Sequence, residues 1–145
     1  MTTPAWNETA LEALKAAGYR AGGARHAVVE LLERQECCLS AQEIFDRLRG
    51  GTRPVGIASV YRVLEQLSAL GLVQRVDVGD ATARYEPLHL TDEHHHHLVC
   101  VDCGRVEPFT DDGLEQAVEG AAGRVGFAVD GHEVVLRGAC GDCRP

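Results

Sequence analysis

Apolar positions recur at helical spacing through the first 70 residues, then the period changes. Residues 7–17 read as a helix with Leu11 and Leu14 on one side and Gly18 as its C-terminal stop. Residues 25–35 form a second helix that buries Val28, Leu31 and Leu32. The third has a defined start, because Ser40 is followed three residues later by Glu43, the spacing of a capping box. It buries Ile44 and Leu48 and ends at Gly50-Gly51. Residues 57–70 place Val60, Val63, Leu64, Leu67 and Leu70 on one stripe, with Gly71 beyond. From there Leu72, Val76 and Val78 share a strand face, Gly79-Asp80 turns the chain, and residues 81–86 return. Helices followed by a hairpin are the order of a winged helix-turn-helix.

The second half alternates strands with one helix. Residues 87–92 read as a hinge. A strand then runs through His94 to His97, a cysteine turn follows, and residues 106–109 form a short strand. A helix spans residues 112–122, with Asp112 and Glu115 placed to cap its start. Two more strands are expected, at 124–129 and 132–137. The class is therefore α+β, with an N-terminal domain over 1–86, a hinge over 87–92 and a C-terminal domain over 93–145.

A chain of 145 residues holds one or two small domains. No apolar run approaches membrane-spanning length, and no signal-peptide pattern opens the chain, so a cytoplasmic protein with no membrane partner is expected. In that setting paired cysteines are better read as metal ligands than as disulfides. The net charge of -8 is uneven: residues 1–86 carry 10 Lys/Arg against 11 Asp/Glu, and residues 87–145 carry 4 against 11. Any nucleic-acid surface must therefore be local.

The chemistry lies mostly in the second half. Cys100, Cys103, Cys140 and Cys143 form two Cys-x-x-Cys pairs. Four thiolates close a tetrahedral zinc shell with no open position, which is a structural site. The histidines are surplus to that shell. On a strand their side chains alternate, so His95 and His97 point one way and His94 and His96 the other. A solvated polar loop would also carry such a run, but here it leads straight into Leu98-Val99-Cys100. Glu115 and His132 are candidates to complete a shell with His94 and His96. His95 and His97 can take Glu86 or His89, or Cys38 from the connection before the third helix. Cys37 and Cys38 also suit the bland role of small buried residues at a helix end.

On the fourth helix the apolar stripe leaves Ser59, Tyr61, Arg62 and Gln66 outward, where side chains can reach phosphates and base edges from a major groove. A solvated helix face has the same pattern. Arg20 and Arg25 flank a small-residue stretch and can touch the DNA backbone or minor groove; Arg75 and Arg84 on the hairpin are weaker candidates of that kind.

The runs Ser40-Ala41-Gln42-Glu43-Ile44, Gly56-Ile57-Ala58-Ser59-Val60-Tyr61-Arg62-Val63-Leu64, His94-His95-His96-His97-Leu98-Val99-Cys100-Val101-Asp102-Cys103-Gly104 and Cys140-Gly141-Asp142-Cys143 resemble the ferric uptake regulator family over nearly the whole chain. The resemblance implies a metal-dependent transcription regulator, usually a homodimeric repressor, with a winged helix and a C-terminal α/β dimerisation domain. It implies that Tyr61 and Arg62 lie on the recognition helix and that Arg25 approaches the minor groove. It gives the four cysteines to a structural zinc, and His95, His97 and Glu86 to an inter-domain sensory site. Cys38 stands where several members have a histidine ligand. His94, His96, Glu115 and His132 match an additional site. The connection from Glu86 to His95 is longer than in relatives that use the carboxylate, so His89 is an alternative to Glu86. Cysteine at position 38 favours zinc over ferrous iron or manganese.

Three function classes compete. A zinc enzyme needs an open metal position beside a general base. The chain has no His-Glu-x-x-His, and no His-x-Glu leading to Pro-Cys-x-x-Cys, so no enzyme and no small-molecule substrate are expected. A zinc-stabilised interaction module explains the cysteines but not the helices or the two histidine pairs. A metal-dependent repressor explains all of them: a homodimer on an inverted-repeat double-stranded operator. It would hold a structural zinc and a regulatory zinc, with iron, manganese, nickel or peroxide sensing as alternatives.

Overall fold

The computed structural model describes residues 4–20, 22–52, 54–88 and 94–145. It divides into two compact units, Met1–Asp92 and Glu93–Pro145.

In the N-terminal unit, helix α1 (Trp6–Ala16) buries Trp6, Ala10 and Leu14, one residue per turn. Helix α2 (Gly23–Arg34) buries Val28, Val29, Leu31 and Leu32. Helix α3 (Ala41–Leu48) starts as expected: the Ser40 hydroxyl accepts from the Glu43 amide at 3.1 Å, and the Glu43 carboxylate accepts from the Ser40 amide at 3.2 Å. Helix α4 (Ile57–Ala69) buries Val60, Val63, Leu64 and Leu67. These faces meet in one apolar cluster.

Gly71, at φ +69°, ends α4. The Leu72 amide donates to the Leu67 carbonyl at 2.9 Å and Gly71 to Ser68 at 3.1 Å, the paired bonds of a Schellman turn. That turn delivers the chain into the hairpin of β2 (Val73–Asp77) and β3 (Ala83–Pro87), paired from Val73↔Pro87 to Asp77↔Ala83. The loop between them is longer than the expected two-residue turn. Asp77 accepts from the Gly79 amide at 2.8 Å and Asp80 from the Thr82 amide at 3.1 Å, while Ala81 takes φ 63°. A strand not anticipated, β1 (Leu39–Ser40), pairs with β3 at Leu39↔Tyr85 and Ser40↔Arg84, giving the sheet order β1-β3-β2. Pro87 closes β3, and the Leu88 amide donates to the Leu72 carbonyl at 2.9 Å. Both residues, read from sequence as the start of a hinge, belong to the hairpin. The rest of that segment, residues 89–92, lies outside the described residues.

In the C-terminal unit, β4 (His96–Cys100) is the central strand. It pairs antiparallel with β5 (Val106–Phe109) and parallel with β6 (Val135–Gly138). Helix α5 (Asp112–Arg124) lies between β5 and β6 in the chain. Its cap is Asp111, which accepts from the Leu114 amide at 2.8 Å, rather than Asp112 with Glu115. The expected strand over 124–129 is absent. Arg124 is the last helical residue, and Gly126, at φ +79°, forms the Schellman end of α5, with Phe127 donating to Ala122 at 2.9 Å. The segment that follows pairs with no strand among the described residues, and Phe127 is 71% exposed. The last strand is shorter than expected, because residues 132–134 precede β6.

Candidate metal centres

The parallel pairing of β4 with β6 decides the cysteine geometry. Its register sets Cys100 beside Gly138, so the two Cys-x-x-Cys turns leave the same end of the sheet. The four sulfurs all lie within 4.8 Å of one another, and Cys103 and Cys140 are 3.9 Å apart. A tetrahedron with zinc–sulfur bonds of about 2.3 Å has edges of about 3.8 Å, so the set fits zinc. The Cys140 amide donates to Cys100 Sγ at 3.3 Å. That bond and the Cys103 amide lower the Cys100 thiol to about 6, in the range where it is a thiolate at neutral pH. Cys143 is pushed up to about 12, first by its contact with the Cys140 sulfur.

The histidines pair by alternation as expected, although the strand expected through His94 begins only at His96. His94 and His96 lie together with ring centroids 4.4 Å apart, and His95 and His97 at 5.0 Å. The first pair meets Glu115 from the first turn of α5 and His132 from the segment before β6, all within 4.8 Å. His96 Nε2 is 2.5 Å from Glu115 Oε1, and His132 Nε2 is 2.8 Å from Glu115 Oε2. His94 Nε2 is 3.3 Å from His132 Nε2. The Val134 amide donates to His96 Nδ1 at 3.2 Å, which turns Nε2 of the buried ring toward the carboxylate. Burial lowers the His94 pKa, and the neighbouring His96 adds to this. Three imidazoles and a carboxylate fit a borderline divalent ion.

The remaining candidates divide between the units. In the N-terminal unit Cys38 is buried immediately before β1. The β1–β3 register, carried one residue further, sets Cys38 across from Glu86. Cys37, Cys38 and Glu86 offer ligand atoms within 4.8 Å of one another. Glu86 is buried and accepts from Gln74 Nε2, its cross-strand partner. Gln74 thus orients the carboxylate, a role visible only in the pairing register. The Cys37 sulfur and burial both raise the Cys38 pKa. In the C-terminal unit His95 and His97 form the second histidine pair, with His97 buried. His89 lies outside the described residues.

The outer face of α4 carries Tyr61, 51% exposed, beside exposed Arg62 and half-buried Ser59. Arg20 is exposed. Arg25 donates to Gln66 Oε1 at 3.0 Å and lies over the Tyr19 ring, so it ties α2 to α4. Gln66 is accordingly a brace for Arg25 rather than a free outward residue. Arg84 is no surface cation: it is buried and paired with Asp80 at 2.8 Å, with Glu43 at 3.9 Å. Arg75 is exposed.

The sequence profile of the ferric uptake regulator family matches residues 16–137. The chain belongs to the ferric uptake regulator family. It is 37% identical over 132 residues to the ferric uptake regulation protein of Vibrio cholerae, covering 90% of this chain and 86% of that one. Its fold matches the Helicobacter pylori ferric uptake regulator, described as having three functional metal binding sites. That match has a TM-score of 0.80 at 27% identity over 94% of this chain and 93% of the other. A zinc-bound manganese uptake regulator matches with a TM-score of 0.79 at 28% identity over 91% and 98%. The family is one of metal-responsive regulators, and the expected architecture holds: a winged helix followed by an α/β domain. Among the described residues no helix is long and apolar enough to cross a membrane.

Proposed function

We propose that this regulator is a zinc-responsive, DNA-binding repressor of metal-homeostasis genes, acting in the cytoplasm as a homodimer on an inverted-repeat operator. The observation that carries the reading is the pairing, in one chain, of an exposed Tyr61-Arg62 face on α4 with a four-thiolate cluster of tetrahedral dimensions. Cys100, Cys103, Cys140 and Cys143 would hold a structural zinc. A closed thiolate shell has no position for substrate, which argues against a zinc enzyme.

Regulation requires a second ion. In this proposal His95 and His97 share it with Cys38 and with Glu86 or His89, so donors from both units converge on one metal. The ion then fixes the winged helices at the separation of successive major grooves, and DNA affinity rises. The thiolate donor supports zinc as that ion. The names of the relatives support iron and manganese as the competing metals. His94, His96, Glu115 and His132 lie within the C-terminal unit and would hold a further ion with a smaller effect on DNA binding.

The test is a gel shift of the full chain on its own upstream DNA, with zinc, ferrous iron and manganese titrated separately. Zinc should promote binding at the lowest concentration, and Arg62→Ala should weaken it without changing metal content. Equal affinity for random duplexes, or no response to any of the three metals, would sink the reading.

A further inference from the structure

Cys37 is unused by the regulatory site as proposed, yet its geometry is that of a ligand. Its sulfur lies 3.7 Å from Cys38 Sγ. That distance matches a tetrahedral zinc–thiolate edge of about 3.8 Å. It is also close to the 3.9 Å separating Cys103 from Cys140 in the four-cysteine cluster. Two neighbouring cysteines on a regular strand would point to opposite faces and could not do this. Here Cys37 sits in a bend between α2 and β1, which turns both sulfurs to one side. Glu86 completes the group, already oriented by Gln74.

We infer that Cys37 and Cys38 act together as a dithiolate clamp for the regulatory ion, with Glu86 as the third donor from the N-terminal unit. This deepens the regulatory reading above and rests on it. Binding replaces two sulfur–hydrogen bonds with two sulfur–metal bonds and releases both protons to water, with no change of oxidation state. One tetrahedral position remains, so Cys37 takes the place of one of the two imidazoles, His95 or His97, in the site proposed above. The consequence is selectivity. A single thiolate among imidazoles and carboxylates is tolerated by several divalent ions, whereas two thiolates in a tetrahedron favour zinc and disfavour manganese, which prefers oxygen donors.

The experiment uses the full chain with its four-cysteine zinc in place and cobalt(II) added as the probe for the second site. Sulfur-to-cobalt charge transfer in the near ultraviolet scales with the number of thiolates bound. The wild type should gain a band that Cys37→Ser cuts to about half, that Cys38→Ser cuts to a similar extent, and that the double variant abolishes. In gel shifts Cys37→Ser should keep metal-dependent DNA binding but lose most of the preference for zinc over manganese. An unchanged charge-transfer band in Cys37→Ser overturns the clamp. Should that variant keep its metal response, the regulator reading survives, so the two failures are distinguishable. Alkylation of the wild type needs no variant: the second equivalent of zinc should protect Cys37 and Cys38 together. Protection of Cys38 alone also overturns the clamp.

Discussion

The two units differ in what they bury. In the N-terminal unit an unbroken apolar cluster runs from Trp6 to Val73 through four helices. In the C-terminal unit the only buried apolar residues are Val99 and Cys100 among those described, and α5 buries none. What is buried there instead is His96 and His97, at the start of the strand that ends at Cys100. A unit of about fifty residues is at the size where an apolar core alone is marginal, and metal ligation or pairing with another chain commonly supplies the rest. If the four thiols hold zinc and the chain pairs as proposed, one fold puts its stability in packing at one end and in coordination and chain pairing at the other.

The comparison breaks most visibly at the thiols. Cys100→Ser or Cys140→Ser opens the shell, and structural zinc contributes on the order of 10–16 kcal/mol of apparent binding free energy to folded zinc peptides. The variants are expected to lose one tightly held zinc, the order of the C-terminal unit and the dimer, while the N-terminal unit stays folded. Metal analysis with sedimentation, under reducing conditions, checks this; Trp6, the one tryptophan, reports the N-terminal core separately. A variant that stays dimeric with unchanged zinc and melting temperature would refute the coordination half of the comparison.

The reciprocal change is Leu64→Ala. Leu64 is 1% exposed on the inner face of α4, and deleting a buried leucine side chain costs about 2–5 kcal/mol. Urea unfolding followed by Trp6 fluorescence should show that loss with zinc content unchanged. If the substitution also releases the zinc, the two units are not independently stabilised.

How much of this was legible beforehand follows the same division. The helices of the N-terminal unit announce themselves because apolar residues recur at helical spacing, and the Ser40–Glu43 box fixes a start to the residue. The four cysteines and the alternation of the histidines are readable because ligand spacing and strand geometry are local rules. What failed was non-local or end-dependent. Residues 124–129 look like a strand by composition, but the helix runs on to Arg124 and Gly126 ends it in a left-handed turn. Arg84 looks like a DNA contact until the loop fold brings Asp80 to it. Gln74 and Cys37 carry no signal alone, because their roles depend on strand register and on a bend.

A smaller effect sharpens the comparison at the histidines. His95→Ala/His97→Ala should leave the four-cysteine zinc and the dimer intact but abolish metal-dependent DNA binding, a coupling of about 1–3 kcal/mol. Linkage requires the converse, so operator DNA should tighten metal binding to the wild type by the same factor. His94→Ala/His96→Ala should lower the stability of the C-terminal unit more than it lowers the DNA response, since Glu115 and His132 lie in the same unit. Anisotropy titrations on operator DNA, with metal content measured in parallel, decide it. Equal losses from the two double variants would erase the distinction between a regulatory and a local site.

The smallest effect lies in the hairpin loop of the N-terminal unit, where an ion pair does what packing does elsewhere. Arg84 is 7% exposed, so its charge needs a partner, and Asp80 supplies it at 2.8 Å. The Arg84 hydrogen bond holds the Asp80 carboxyl below its ordinary value. A carboxylate with a depressed folded-state pKa stabilises the fold above its unfolded pKa of about 3.9 and loses that contribution as pH falls through the folded value. Asp80→Asn keeps the oxygen that accepts from the Thr82 amide and from Arg84 Nη1, removes the charge, and puts an amide N–H where Oδ2 accepted from Arg84 Nη2. Because the Asp80 side chain is 39% exposed, solvent screening limits the loss to about 1 kcal/mol or less. Urea midpoints read from Trp6 fluorescence should therefore separate wild type and variant at pH 7, and the gap should close as pH drops below 4. A gap that does not narrow at all as pH falls below the unfolded carboxyl value would assign the loss to altered loop geometry instead of the ion pair, and no gap at pH 7 would mean Glu43, 3.9 Å from Arg84, suffices as its partner.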